Sequence, residues 1–223
     1  MTLDWSLYLI TDRHLIGQRS LTEVVADALR GGVRAIQLRE KDLAPQALLQ
    51  LATEVRTLTL QARAALLIND RIDVALAVGA DGVHLRTDSL PTRVVRRVLG
   101  SQKLIGVSTH SLDEIERAAS EGADFVTFGP VFDTPSKRAY GPPVGIEALA
   151  EACRVARLPV FALGGIDRDR VGSVLDAGAH GVALIGAVTA QRDVRAAAET
   201  CLSAIRSRKI ARVVDPRSGR CYN

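Results

Sequence analysis

The sequence lacks the materials of several protein classes. No apolar run approaches the ~18 residues that a membrane-spanning helix needs, and Met1 to Asp12 has no basic stretch followed by an apolar one of the kind that directs secretion. Cysteine is scarce: Cys153, Cys201 and Cys221 are an odd, scattered set without metal-ligand spacing, which points to a reducing compartment and a cytoplasmic protein. Aromatic residues make up 4% of the chain, too few for a surface that stacks nucleic-acid bases. Core material is abundant. The 223 residues are 47% hydrophobic and 24% charged, a balance that excludes global disorder.

A formal charge of +4 and an isoelectric point near 9.2 invite a nucleic-acid partner, but the basicity is local. Beyond residue 205 the chain carries Arg206, Arg208, Lys209, Arg212, Arg217 and Arg220 against Asp215 alone, a net of +5 that leaves −1 for everything before it. The expectation is a catalytic body over 1–205 and a solvated, flexible basic tail over 206–223, with no nucleic-acid or membrane partner.

Short aliphatic runs alternate with amphipathic stretches throughout. Candidate strands lie at Leu7–Ile10, Ala35–Leu38, Ala65–Ile68, Gly82–Leu85, Leu104–Val107, Phe125–Phe128, Pro159–Ala162 and Gly181–Ile185. Between the first two, Leu21, Val24, Val25, Ala28 and Leu29 form one apolar helical stripe. Ser20 with Glu23, and Ser111 with Glu114, have the spacing of capping boxes, and Pro45 suits a first helical position. Gly79-Ala80-Asp81-Gly82-Val83, Gly122-Ala123-Asp124-Phe125-Val126 and Gly178-Ala179-His180-Gly181-Val182 echo one helix-to-strand junction. Eight βα units in a chain of this length describe a single (β/α)8 TIM barrel, with a doubly wound open sheet as the competitor.

In such a barrel the polar chemistry collects at the C-terminal strand ends. The second unit ends Gln37-Leu38-Arg39-Glu40-Lys41, where alternation puts Gln37, Arg39 and Lys41 on one face. Two cations and an amide there suit a highly charged anion; that Arg39–Glu40 and Lys41–Asp42 are solvated surface charges is the other reading. Asn69-Asp70 suits Mg²⁺ and a ligand, or caps the next helix. In Arg86-Thr87-Asp88-Ser89, Asp88 can complete a cation site, while Ser89 can simply start a helix. Ser108 can bind a ligand edge, and His110 either shuttles a proton or is structural. The longest loop, Gly129 to Gly145, carries Thr134-Pro135-Ser136-Lys137, whose hydroxyls and lysine favour an oxyanion. Gly164-Gly165 and Ile185-Gly186 let backbone amides approach a phosphate. The ends together describe two anion sites, one for a pyrophosphate with metal and one for a monophosphate.

The run Gln37–Lys41, Asn69-Asp70-Arg71, Asp81-Gly82-Val83-His84-Leu85, the Gly129-Pro130 to Gly145 loop and Ala162-Leu163-Gly164-Gly165-Ile166 resemble the thiamine-phosphate synthase family over nearly all of Tyr8 to Val188. The resemblance implies a transferase of thiamine biosynthesis that joins hydroxymethylpyrimidine pyrophosphate to thiazole phosphate and releases pyrophosphate. It assigns Gln37, Arg39, Lys41, Asn69, Ser108 and Lys137, within the runs that include Leu38, Glu40 and Pro135, to the pyrimidine pyrophosphate. Thr134, Ser136, Gly165, Ile185 and Gly186 would hold the thiazole phosphate. Arg39, Lys41 and Lys137 would stabilise the leaving group, with Mg²⁺ on Asp70. This chain departs from the family at Ser89, which aligns with a second metal-binding aspartate, at Arg86 in place of glycine, and at Gly186 where serine is common. A sister branch, the thiazole tautomerase, relies on a histidine matching His110 but tends to lose the pyrophosphate-binding residues. That activity and a non-catalytic ligand-binding paralogue are the alternatives.

Overall fold

The structure, a computed structural model, describes residues 3–134 and 142–214, with side chains as far as 211. Eight parallel strands close into a barrel in the order of the chain: β1 (Leu7–Ile10), β2 (Ala35–Leu38), β3 (Ala65–Asn69), β4 (Gly82–Leu85), β5 (Leu104–Thr109), β6 (Phe125–Phe128), β7 (Val160–Leu163) and β8 (Gly181–Leu184). Closure is made by β1 against β8, with Leu7 opposite Val182 and Leu9 opposite Leu184. The open-sheet alternative is excluded. β5 runs two residues beyond expectation because Ser108 and Thr109 pair with Thr127 and Phe128, and β3 runs one residue further, with Asn69 opposite His84.

Strand alternation sorts the core into two layers. Leu9, Ile36, Leu38, Ile68, Val83, Val107, Val126 and Ala162 pack outward beneath the helices. Trp5, Tyr8, Ile10, Ala35, Leu67, Leu104, Phe125, Phe161 and Ala183 fill the interior. There Trp5, Tyr8, Phe125 and Phe161 stack with ring centroids 4.7 to 6.2 Å apart, edge-on or tilted. Complete burial of each such ring stabilises the fold by ~1.5–3 kcal/mol. The aromatic plug makes the barrel solid below and leaves only its C-terminal mouth available for chemistry.

The helices carry the expected signals with instructive exceptions. α1 (Leu21–Arg30) opens on a complete Ser20/Glu23 capping box, and α2 (Pro45–Gln61) has Pro45 at its first position. α5 (Leu112–Ser120) has Ser111 as its cap, but Glu114 Oε2 accepts from the amide of His110 rather than closing the box. α3 (Ile72–Ala77) and α4 (Thr92–Leu99) have no side-chain caps, so neither Asp70 nor Ser89 serves a helix start. The remaining helices are α6 (Gly145–Val155), α7 (Val171–Asp176), α8 (Gly186–Thr189) and α9 (Val194–Val214).

The expected boundary at 206 falls inside α9. Val194, Ala198, Cys201 and Ile205 form its buried stripe, and the helix continues from there. Arg208 forms a two-pronged ion pair with Asp176 of α7, its Nε 2.6 Å from Oδ1. Lys209 Nζ lies 2.5 Å from Ser6 Oγ, ahead of β1. The first part of the basic segment is thus helix docked on the barrel; residues 215–223 lie outside the described residues. Among the described residues no helix is long and apolar enough to cross a membrane.

Candidate active site

At the end of β2, charge pairing does not follow sequence adjacency. Glu40 is buried and its carboxylate accepts from Thr11 Oγ1 at 2.6 Å and from the amide of Arg13 at 3.1 Å. Asp42 takes the Arg13 guanidinium at 2.5 and 2.7 Å, with His14 Nε2 at 3.1 Å. The Arg13 hydrogen bond holds the Asp42 carboxyl down to about 2. Arg13 therefore occupies both acids. The Arg39 guanidinium is left without a side-chain hydrogen bond or ion pair among the described residues, while the Arg39 amide donates to Thr11 Oγ1 at 2.9 Å. This excludes the solvated Arg39–Glu40 pair. The Leu38 side chain belongs to the outer core, and the Glu40 carboxylate anchors the loop after β1. Lys41 is exposed beside them.

A chain of four polar side chains crosses the barrel floor. Gln37 Nε2 donates to Tyr8 Oη at 3.1 Å, Tyr8 Oη lies 3.3 Å from His84 Nδ1, and His84 Nε2 lies 3.0 Å from Ser108 Oγ. Burial raises the Tyr8 phenol above its usual range, with Gln37 opposing. Burial, helped by the positive charge of Arg39, lowers His84 to about 3. Both are neutral, which orders the protons. Gln37 can only donate through Nε2, so Tyr8 Oη donates a hydrogen bond to His84 Nδ1, and His84, with its own proton on Nε2, donates to Ser108 Oγ. Ser108 thus keeps its hydroxyl proton to donate elsewhere, and Gln37 keeps Oε1 as an acceptor. Amine-and-ring-nitrogen edges of heteroaromatic rings match that donor–acceptor pair.

Asp70 follows β3 with φ +63°, a left-handed conformation that a non-glycine residue occupies at a cost. Its amide donates to the His84 carbonyl at 2.9 Å. Ser89 Oγ donates to Asp70 Oδ1 at 2.5 Å while accepting from the amide of Arg86 at 2.7 Å. Asp88 instead pairs with Arg86. No group of three or more His, Cys, Asp or Glu is placed to hold a metal ion among the described residues. One carboxylate with a neighbouring hydroxyl fits Mg²⁺ only when substrate phosphates and water complete its octahedron, which is how this ion is commonly held.

Across the mouth, Gly165 follows β7 with φ +62°, and a Cβ there would lie 2.6 Å from the Asp133 carbonyl oxygen. Only glycine fits this junction between the β7 and β6 loops. Arg170 clamps it, donating to the Gly165 carbonyl at 2.6 Å and lying 4.8 Å over the Phe132 ring. Ile185 and Gly186 lead from β8 into α8, where the first amides of a helix turn are free of helical partners. Thr134 ends the described part of the β6 loop; Pro135, Ser136 and Lys137 lie outside the described residues. His110 ties β5 to β6 through Nδ1, 2.5 Å from the Gly129 carbonyl oxygen, which supports its structural reading.

Topology places Gln37, Arg39, Asn69, Asp70, Ser108, Gly165 and Gly186 at one mouth, since all follow or end parallel strands. Sequence reasoning missed Tyr8, Thr11, Arg13 and the role of His84. Alternation in Gly82-Val83-His84-Leu85 could have turned His84 inward. Nothing local marks Arg13 as the partner of acids 27 and 29 residues away.

A closed barrel whose mouth brings a cation unpaired among the described residues together with a carboxylate and glycine-lined amides has the form of an anion-handling (β/α)8 enzyme. The thiamine monophosphate synthase family model matches residues 7–188, and the chain belongs to that family. A curated relative from Geobacter sulfurreducens is 55% identical over 201 residues, 90% of this chain and 94% of its own length. Thiamine-phosphate synthase of Roseiflexus sp. strain RS-1 is 45% identical over 201 residues, covering 90% of this chain and 85% of that protein. The solved thiamine phosphate pyrophosphorylase of Pyrococcus furiosus superposes with a TM-score of 0.83 at 37% identity, over 91% of this chain and 96% of its own.

Proposed function

We propose that this chain condenses hydroxymethylpyrimidine pyrophosphate with thiazole phosphate to give thiamine phosphate and pyrophosphate. The observation that carries the reading is the Arg39 guanidinium, stripped of both neighbouring acids by Arg13 and set beside the neutral Gln37–Tyr8–His84–Ser108 chain. Gln37 Oε1 and Ser108 Oγ suit the aminopyrimidine edge, with Asn69 beside them. The amides of Gly165 and Gly186, with Ile185, Thr134 and Ser136, suit the thiazole phosphate.

The reaction breaks the bond between the pyrimidine methylene carbon and the diphosphate oxygen, which leaves with the electron pair. The thiazole ring nitrogen forms the new bond to that carbon. No proton abstraction is needed, which agrees with a mouth that presents anion-binding groups rather than a nucleophile. Arg39, Lys41 and Lys137 offset the charge that grows on the departing diphosphate, and the two pockets hold the reactants in line. Asp70 and Ser89 would hold Mg²⁺ carried in with the diphosphate, and the ion would add positive charge at the leaving group.

The test incubates the purified protein with both substrates and Mg²⁺ and measures thiamine phosphate chromatographically. Product formation supports the reading. Its absence, or isomerisation of thiazole carboxylate phosphate alone, overturns it.

A further inference from the structure

Thr127 presents a polar group that the fold does not use. It lies on β6 between inward Phe125 and outward Phe128, so alternation turns its side chain into the barrel. Its neighbours in register are Ser108 on β5 and Phe161 on β7. That position is one inward step above Phe125 and level with Phe161 of the aromatic plug, beside the hydroxyl that ends the polar chain. The residue is 1% exposed, and Thr127 Oγ1 is the one buried side-chain polar atom without a hydrogen-bond partner among the described residues. Its backbone carbonyl accepts from Thr109 Oγ1 at 3.0 Å. An orphaned hydroxyl in an apolar interior costs stability. Valine would fill the same space without that cost.

We propose that Thr127 is a substrate contact: its hydroxyl hydrogen-bonds the ring edge of the pyrimidine pyrophosphate, next to Ser108. Gln37 and Ser108 approach that ring from β2 and β5, and Thr127 extends the same tier one strand further. Its hydroxyl both donates and accepts, so it takes up whichever ring position Gln37 and Ser108 leave over. This rests on the synthase reading above.

The test compares Thr127→Val and Thr127→Ser with the parent protein. Steady-state kinetics vary each substrate in turn, and thermal unfolding is followed without ligand. Thr127→Val is expected to raise the KM for the pyrimidine pyrophosphate about 5- to 10-fold, the loss of one neutral hydrogen bond. The KM for thiazole phosphate should stay within about twofold, and Thr127→Ser should recover most of the loss. The melting temperature of ligand-free Thr127→Val should equal or exceed that of the parent, because the variant removes an unsatisfied group. An unchanged pyrimidine KM in a folded Thr127→Val protein overturns the proposal. So does a lowered melting temperature with both KM values rising together, the signature of a packing role. If the parent makes no product, the synthase reading has failed instead. Calorimetric titration of parent and Thr127→Val with the pyrimidine pyrophosphate then decides the contact, equal affinities overturning it.

Discussion

Arg13 and Arg39 have the same side chain and opposite fates. Arg13 satisfies Glu40 and Asp42, and the Arg39 guanidinium is left without an acidic partner among the described residues. Arg39→Ala should lower kcat/KM by at least ~10²-fold, as expected for a donor that meets charge developing in the transition state. Steady-state assays check this, and near-parental rates would remove the leaving-group argument. Ser89→Asp should tighten the Mg²⁺ requirement, because a second carboxylate would stand where Ser89 Oγ now meets Asp70 Oδ1; the Mg²⁺ concentration for half-maximal rate measures it. His84 predicts a pH effect whose sign follows from burial. The unfolded chain protonates this imidazole below about 6.5, the folded protein only near 3. Across that interval the unfolded state holds the extra proton, so stability falls with falling pH, by at most ~1.4 kcal/mol per pH unit from this group. Urea unfolding of the parent and His84→Asn at pH 7 and pH 5 should show a smaller loss in the variant. At this scale the sequence was partly legible: alternation alone aligned Gln37 with Arg39, but which acid neutralises which base depends on the loop after β1.

The echo of Gly-Ala-Asp at helix-to-strand junctions acquires a physical meaning between elements. The Asp81 amide bonds the Leu66 carbonyl, and its carboxylate takes the Leu66 amide at 2.8 Å and Arg56 of α2 at 2.7 Å. Asp124 repeats this one unit pair later, with Ile105 at 2.7 Å and Arg96 of α4 at 2.6 Å. Each acid stitches its own strand to the one before and to a helix. In the third copy His180 keeps the backbone bond, to Val160, but sends Nε2 to the Trp5 carbonyl at 3.1 Å. Asp124→Ala should cost ~1.5–3 kcal/mol, the worth of hydrogen bonds to a charged group, which lowers the melting temperature by roughly 5–10 °C in a chain of this size. Activity per folded molecule should not change, because the junction lies at the end opposite the mouth. Strand positions were legible from aliphatic runs. The extension of β5 through Ser108 and Thr109 was not, because polar residues there resemble a loop until β6 supplies their partners.

For the whole molecule, eight regular units sufficed to read a closed cylinder, while the end of the chain misled. A basic run looks solvated, yet the stripe through Val194, Ala198, Cys201 and Ile205 carries the helix onward to where Arg208 and Lys209 meet Asp176 and Ser6. Removing residues 206–223 should therefore lower the melting temperature by a few degrees, in keeping with exposed pairs worth ~0.2–1 kcal/mol each. It should leave kcat/KM intact, since those contacts lie on α7 and ahead of β1. Thermal scans and steady-state rates of the shortened protein check both halves.

Trp5 is the chain's single tryptophan, 6% exposed and stacked against Tyr8 and Phe161. Tyr8 is in turn the hydroxyl that Gln37 grips. The protein thus carries its own optical gauge: one indole, emitting to the blue from a dry niche, linked through Tyr8 to the Gln37 side chain proposed to meet the incoming ring. Binding at Gln37 is expected to change the intrinsic fluorescence, a readout that needs no label.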